Sequence, residues 1–133
     1  LLPSVLLRYK ANQQGAKEAI LIRDGYITEG AASNVFICKN GEVLTPLKDK
    51  YVLPGITRDL VVEILANNNI THLETVISEK ELLNADEVWI TSSTWEIVPV
   101  TQLNNLPVGT GETGALWKKV DDLYQEFKSV YCE

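Results

Sequence analysis

The stretch EAILIRDGYITEGAASNVFICKNGEVLTP, residues 18–46, decides how this chain folds. It contains four short runs, 18–23, 25–28, 34–39 and 42–46, rich in the β-branched and aromatic residues that suit a pleated, half-buried surface. Asp24 and Gly25 separate the first two runs, the small residues of 30–33 the next, and Asn40 and Gly41 the last. Asp-Gly and Asn-Gly supply the positive φ angles that a tight two-residue hairpin requires. The stretch therefore predicts a meander of antiparallel strands, and any helices must come from the flanking sequence.

On the N-terminal side, Leu2, Val5, Leu6 and Tyr9 recur at helical spacing, Pro3 suits a first turn and Gly15 could close the element. That spacing predicts an amphipathic helix over residues 4–14. On the C-terminal side, LPGITRD (53–59) leads into Leu60, Val61, Ile64 and Leu65, a helical face that stops at Asn67, Asn68 and Asn69. HLETVI (72–77) and EVWITSS (87–93) read as strands around a short helix in which Ser78 and Glu81 can form a capping box. EIVPVTQL (96–103) reads as a strand whose Pro99 implies an edge or a bulge. A last helix, 112–131, carries Leu116, Trp117, Val120, Leu123, Tyr124 and Phe127 on one face. The expected class is α/β: a mixed, barrel-like β-sheet with packed helices outside it.

A chain of 133 residues suits a single domain with its own core. The hydrophobic share of 45% without low-complexity runs is that of a folded protein. Twelve basic against eighteen acidic residues give a net charge of −6, and the basic residues form no stripe, so a nucleic-acid partner is not expected. No apolar run has the length of a membrane span, and the N-terminus lacks signal-peptide features, so neither a membrane partner nor export is expected and the protein reads as cytoplasmic. Two cysteines, Cys38 and Cys132, and one histidine, His72, make a disulfide framework or a metal site improbable. The first residue is Leu, inside an apolar pattern with no N-cap, and the chain is expected to be part of a longer polypeptide.

Glu29 is the residue whose presence needs explaining. If the strand persists to Glu29, alternation puts it on the face of Ile27, where a carboxylate needs a cationic partner; if the strand ends at Thr28, it is a solvated turn acid. The small residues that follow, up to Ser33, let a backbone approach a ligand, or simply form a polar hairpin loop. Gly55 before a helix opening with Ile56, Thr57 and Arg58 suits a phosphate, unless Thr57 is an ordinary cap. Ser92, Ser93 and Thr94 follow a strand and could cradle the same anion, or form a common hydroxyl-rich turn. Arg58 suits a surface ion pair with an acid along the helix, such as Asp59 or Glu63, better than an anion, and His72 has no metal-ligand companions. Trp89, Trp95 and Trp117 default to core packing, although Trp95 adjoins the hydroxyl cluster and could wall a pocket.

Taken together, EAILIRDGYITEGAASNVFI, LPGITRD and ADEVWITSSTWEIVPV resemble, in order and spacing, the segments of the class IV, or fold-type IV, pyridoxal-phosphate aminotransferases, and most of all the D-amino acid enzymes. The resemblance covers essentially the whole chain. It implies the C-terminal, cofactor-binding domain of such an enzyme over residues 1–133, with pyridoxal 5'-phosphate as cofactor and Glu29 on its pyridine nitrogen. It implies further that Ile56 and Thr57 bind the phosphate beside Gly55, that Ser93 adds a hydroxyl with Ser92 and Thr94 close by, that Leu53 packs on the ring, and that Ser33 and Asn34 line its surroundings.

By the same resemblance the Schiff-base lysine is expected upstream of Leu1, so no catalytic residue is assigned within the chain and Lys10 is not a substitute. A smaller N-terminal domain would supply a phosphate-binding arginine and much of the recognition of the substrate carboxylate. The implied reaction is ping-pong exchange of an amino group between an amino acid, of the D series, and a 2-keto acid, in a homodimer; residues 1–133 alone are not expected to transaminate. Branched-chain aminotransferases and aminodeoxychorismate lyases share the scaffold. Outside the enzymes, a non-catalytic domain binding a phosphorylated small molecule has the same motifs, as does a folded domain that holds no cofactor.

Overall fold

The structure, a computed structural model, describes residues 4–11, 14–30, 34–47, 55–92 and 96–131. Its elements run β1 (Ser4–Ala11), β2 (Gln14–Arg23), β3 (Tyr26–Gly30), β4 (Asn34–Lys39), β5 (Glu42–Thr45), α1 (Ile56–Asn67), β6 (His72–Glu74), α2 (Glu79–Leu83), β7 (Glu87–Ser92), β8 (Glu96–Leu103), β9 (Leu106–Pro107) and α3 (Ala115–Tyr131). The strands form one mixed sheet in the order β3-β2-β1-β8-β7-β4-β5-β6, with β9 on β8. Its two ends are tied together: the Ile27 N–H donates to Ile77 O at 2.8 Å and the Glu79 N–H to Gly25 O at 2.9 Å, with Tyr26 and Ser78 in an antiparallel bridge. These bonds bring β3 against the segment after β6, which makes the sheet barrel-like, as expected.

Turn chemistry sets the local register. Asp24 and Gly25 have φ of 53° and 83°, and Asn40 and Gly41 have 53° and 80°, the left-handed pair that a two-residue hairpin needs. Asn104 and Asn105 make the same turn between β8 and β9, at φ of 49° and 68°. The capping box of α2 is present: Ser78 Oγ accepts from Glu81 N at 3.0 Å, and Glu81 Oε1 accepts from Ser78 N at 3.0 Å. α1 ends at the asparagines through left-handed Asn69, with the Ile70 N–H reaching Leu65 O at 3.0 Å in a Schellman arrangement.

The expected helix over 4–14 is not formed. Residues 4–11 are strand β1, paired with β2 from Ser4↔Leu21 to Ala11↔Gln14, and with β8 on its other side. Leu2, Val5, Leu6 and Tyr9 fit helical spacing, but Val5, Leu7 and Tyr9 also alternate. The two flanking ladders, one of them to a strand far along the chain, decide between the periods. Gly15 pairs with Lys10 inside the hairpin instead of capping a helix, so Lys10 lies in a strand.

Two smaller expectations also change. Only His72–Glu74 of the run 72–77 is strand, parallel to β5 across the β5–α1–β6 crossover. Pro99 is in an inner strand, paired with Trp89 of β7, and β1 pairs with β8 only from Val100 onward. The register shift between Arg8 and Tyr9 leaves Thr101 as an extra residue of β8, and because the β1 ladder ends at Val100 the missing N–H of Pro99 needs no partner on that side.

Alternation along the strands builds two apolar layers. Val35, Ile37, Val88, Ile90, Val98 and Val100 belong to one buried cluster, which Leu82 of α2 joins. Phe36, Cys38, Trp89 and Ile97 belong to the other, against Val61 and Leu65 of α1 and Val120 and Tyr124 of α3. Burying each large apolar side chain stabilises by about 1.5–3 kcal/mol, and the Phe36 and Trp89 rings lie 6.1 Å apart. The face of α3 is as expected, with Trp117 Nε1 donating to Ile97 O at 3.1 Å.

Glu87 fixes the start of that helix. Its carboxylate accepts from Leu116 N at 3.2 Å, from Trp117 N at 2.9 Å and from Trp89 Nε1 at 3.0 Å. A side chain at Gly114 would collide with it, since a Cβ there would lie 1.9 Å from Glu87 Cδ. Cys38 is buried in this layer; burial first, then Glu87 and Asp86, push its thiol far above the ordinary cysteine range.

Candidate active site

Among the described residues, the candidates Asn34, Gly55, Ile56 and Thr57 lie where the β5–α1–β6 crossover begins. In parallel α/β units ligands sit beyond the carboxyl ends of the strands, and here the chain leaves β5 at Thr45 and Pro46 and enters α1 at Gly55. β4 is antiparallel to β5 and β7 antiparallel to β4, so Asn34 at the start of β4 and Thr91 near the end of β7 come to this same end as register partners.

Gly55 is the N-cap of α1, extended at φ −144° and ψ 131°, with no side-chain capping bond. Asn34 is buried and its side chain lies against this cap: a Cβ at position 55 would stand 2.3 Å from Asn34 Oδ1. Absence of a side chain at Gly55 is therefore what admits the carboxamide. Ile56 is exposed and Thr57 half-buried at the first turn, where an α-helix leaves its amides without i−4 acceptors.

The Arg58 guanidinium is committed to carboxylates of the fold and is buried, not on the surface as expected. It is 2% exposed, and its Nη2 donates to Glu74 Oε1 at 2.6 Å and to Pro46 O at 2.9 Å, with Nη1 3.3 Å from Asp59 Oδ1. The structural role holds, with Glu74 as a partner that sequence proximity did not suggest. His72 Nδ1 lies 2.9 Å from Ile70 O.

Glu29 lies in β3, which continues through it to Gly30, so the strand does not end at Thr28. Simple alternation nevertheless fails there. Ile22 pairs with Ile27 but Leu21 pairs with Glu29, and Thr28 is the extra residue of a bulge, so a face shared with Ile27 does not follow. Gly30 and Asn34 are joined through 31–33, which brings the Glu29 backbone within about 17 Å of Asn34 at most. Ser92 is the last residue of β7, paired with Glu96. Ser33, Leu53, Ser93, Thr94 and Trp95 lie outside the described residues.

The chain re-enters at Glu96, which holds a left-handed φ of 63°. Its carboxylate pairs with Lys128 and accepts from Gln125 Nε2 at 3.1 Å, tying the start of β8 to α3. Burial would raise the Glu96 pKa, but the Lys128 and Gln125 hydrogen bonds and the Lys128 charge outweigh it and hold it below the ordinary range. Asp121 is shifted up, by burial and then by Glu96 and Asp122, against the Gln125 hydrogen bond and Lys128.

Sequence reasoning passed over Thr91. It is 1% exposed, shares the helix-packed face of β7 with Trp89, and its Oγ1 has no hydrogen-bond partner among the described residues. Only the strand parity of EVWITSS could have marked it, because a threonine in an apolar strand is unremarkable in itself. A cavity of about 630 Å³ lies elsewhere, between the β4–β5 hairpin and α2. It adjoins Lys39, at the far end of β4 from Asn34. Lys39 is already committed to Asn84 O at 2.9 Å and to Asp86, and the acids Glu42 and Glu81 line the cavity together with Lys80.

Residues 1–103 match the family model for amino-transferase class IV. The chain belongs to the class IV aminotransferase family. Within that family it is 42% identical over 125 residues to the D-alanine aminotransferase of Bacillus licheniformis, across 94% of this chain and 44% of that protein. It also resembles the branched-chain amino acid aminotransferase from Escherichia coli, at 36% identity and a TM-score of 0.76, over 81% of this chain and 37% of that one. An aminotransferase from Brucella abortus, solved bound to PLP, aligns at 30% identity and a TM-score of 0.77, over 83% of this chain and 39% of that one. The chain thus spans less than half the length of these class IV relatives. No helix among the described residues is long and apolar enough to cross a membrane.

Proposed function

We propose that residues 1–133 form the cofactor-binding part of a pyridoxal-phosphate-dependent aminotransferase that moves an amino group between a D-amino acid and a 2-keto acid. The observation that carries this reading is the seat of Asn34 against Gly55 at the N-terminus of α1. The backbone amides of the first turn are the donors that a phosphate ester requires, and the buried Asn34 carboxamide is seated beside them. The residues fit the cofactor in this respect. The D-series assignment is supported by the 42% identity to a D-alanine aminotransferase, and a branched-chain substrate is the competing choice.

In this reading the amides of Ile56 and Thr57 hold the phosphate, with hydroxyls from Ser33, Ser92, Ser93 and Thr94 around it and Leu53 against the ring. Glu29 holds the proton on the pyridine nitrogen, because a carboxylate beside a pyridinium favours its charged form. Pyridoxal phosphate, when bound, supplies the electron sink for charge that develops at the substrate α-carbon. In this reading the proton-transfer lysine and much of the recognition of the substrate carboxylate are supplied by sequence that residues 1–133 do not include.

Replacing Glu29 with Gln in the intact protein tests this. The variant should still take up pyridoxal phosphate yet transfer amino groups about 10²-fold more slowly, as when one preorganised electrostatic contact is lost. A rate close to wild type contradicts the role of Glu29. A wild-type protein that binds the cofactor and transfers no amino group favours the non-catalytic binding domain.

A further inference from the structure

We propose that Thr91 is a further binding residue of this site, whose hydroxyl hydrogen-bonds the anionic end of the bound cofactor. The inference rests on the reading above and adds a residue to it.

The starting observation is an unmet requirement. A buried hydroxyl without a partner carries the desolvation cost of its polar atom, and native interiors leave few such groups. Thr91 Oγ1 is one, in a side chain only 1% exposed. A methyl in its place would pack equally well, so the hydroxyl is unexplained by the fold.

Its position supplies the explanation. Thr91 and Trp89 stand two residues apart on β7, and Trp89 faces the layer formed with α1 and α3. The cross-strand partner of Thr91 is Asn34, whose side chain meets the α1 N-cap at Gly55. Directly opposed residues carry their Cβ atoms about 4.5–5.5 Å apart, and α1 packs against β7. The orphan hydroxyl thus lies in the layer between the sheet and the start of α1, next to the Asn34 carboxamide that meets it. A helix N-terminus and a buried donor directed to the same layer are both complemented by one anion. The ring of the cofactor has no comparable claim on Thr91, because the first-turn amides attract its charged end.

Among the described residues the other orphan is Arg58 Nε, which belongs to a guanidinium already held by Glu74, Asp59 and Pro46 O, and its residue has a structural role without a ligand.

The test compares Thr91→Val and Thr91→Ser with wild type in the intact protein, freed of cofactor and titrated with pyridoxal phosphate and, separately, with pyridoxal, which lacks the phosphate. Thr91→Val should weaken pyridoxal phosphate by about tenfold or more, the worth of a hydrogen bond to a charged group, and leave pyridoxal affinity unchanged. Its cofactor-free melting temperature should equal or exceed that of wild type, since an unsatisfied hydroxyl has been removed. Thr91→Ser should keep the preference for the phosphorylated ligand. Equal losses for both ligands, no loss for either, or a lowered cofactor-free melting temperature would overturn the inference while leaving the parent reading intact. A wild-type protein that binds neither ligand overturns both.

Discussion

Asn34 occupies the space that a side chain at Gly55 would need: a Cβ at position 55 would stand 2.3 Å from Asn34 Oδ1. The Gly55 backbone is extended at φ −144°, a conformation open to any residue, so the glycine is required by proximity and not by strain. Gly55→Ala should therefore cost about 1–2 kcal/mol through overpacking and weaken cofactor binding by displacing the carboxamide. Adding Asn34→Ala relieves the collision, and the pair should recover stability without recovering affinity. Denaturant melts and cofactor titrations of the single and double variants check this; recovery of both would remove Asn34 from the site.

The Arg58–Glu74 pair anchors α1 to β6. Arg58 is almost fully buried while the Glu74 side chain is 38% exposed, so removing the acid strands a buried guanidinium that keeps only Pro46 O and Asp59. Glu74→Gln should lower stability by about 1–2 kcal/mol, less than a fully buried pair because water reaches Glu74. Arg58→Ala should cost more, because it also leaves a cavity. Urea denaturation measures both, and an unchanged midpoint in Glu74→Gln contradicts the anchoring role.

Acid should release α3 from β8. The folded-state pKa of Glu96 is depressed by Lys128 and Gln125, so its ion pair contributes stability above the ordinary carboxylate pKa, and the contribution is lost as pH falls through the depressed value. Asp121 has the opposite sign: its raised pKa favours folding at low pH, and that contribution is lost as pH rises through the raised value. Lys128→Met should flatten the acid limb of the stability profile and raise the Asp121 pKa further. Stability measured across the acid range checks the first point and carboxylate titration by NMR the second.

The particular residues show which parts of this fold are local. Strand β4 occupies the residues expected, 34–39, and the Asp24-Gly25 and Asn40-Gly41 turns and the Ser78–Glu81 box form as read, because each is specified within a few neighbours. The element over 4–11 was misread because its conformation is decided by β2 and β8, not by its own spacing. Arg58 and Glu74 are 16 positions apart, and no pattern in the helix announces the pair. At the candidate site, Gly55 and Asn34 were legible as motif members, whereas their contact was not. The bulge at Thr28 defeats parity at Glu29 because an inserted residue leaves no mark in the apolar alternation. Thr91 was invisible because an unpaired hydroxyl is a property of its surroundings.

The most direct measurement is the visible absorbance of the intact protein with pyridoxal phosphate, recorded before and after adding a panel of D- and L-amino acids. The account predicts a new band on cofactor uptake, lost selectively with D-amino acids as the amino group passes to the cofactor. A band that only L-branched-chain amino acids discharge would contradict the D-series assignment, and failure to develop any band would contradict the cofactor site itself.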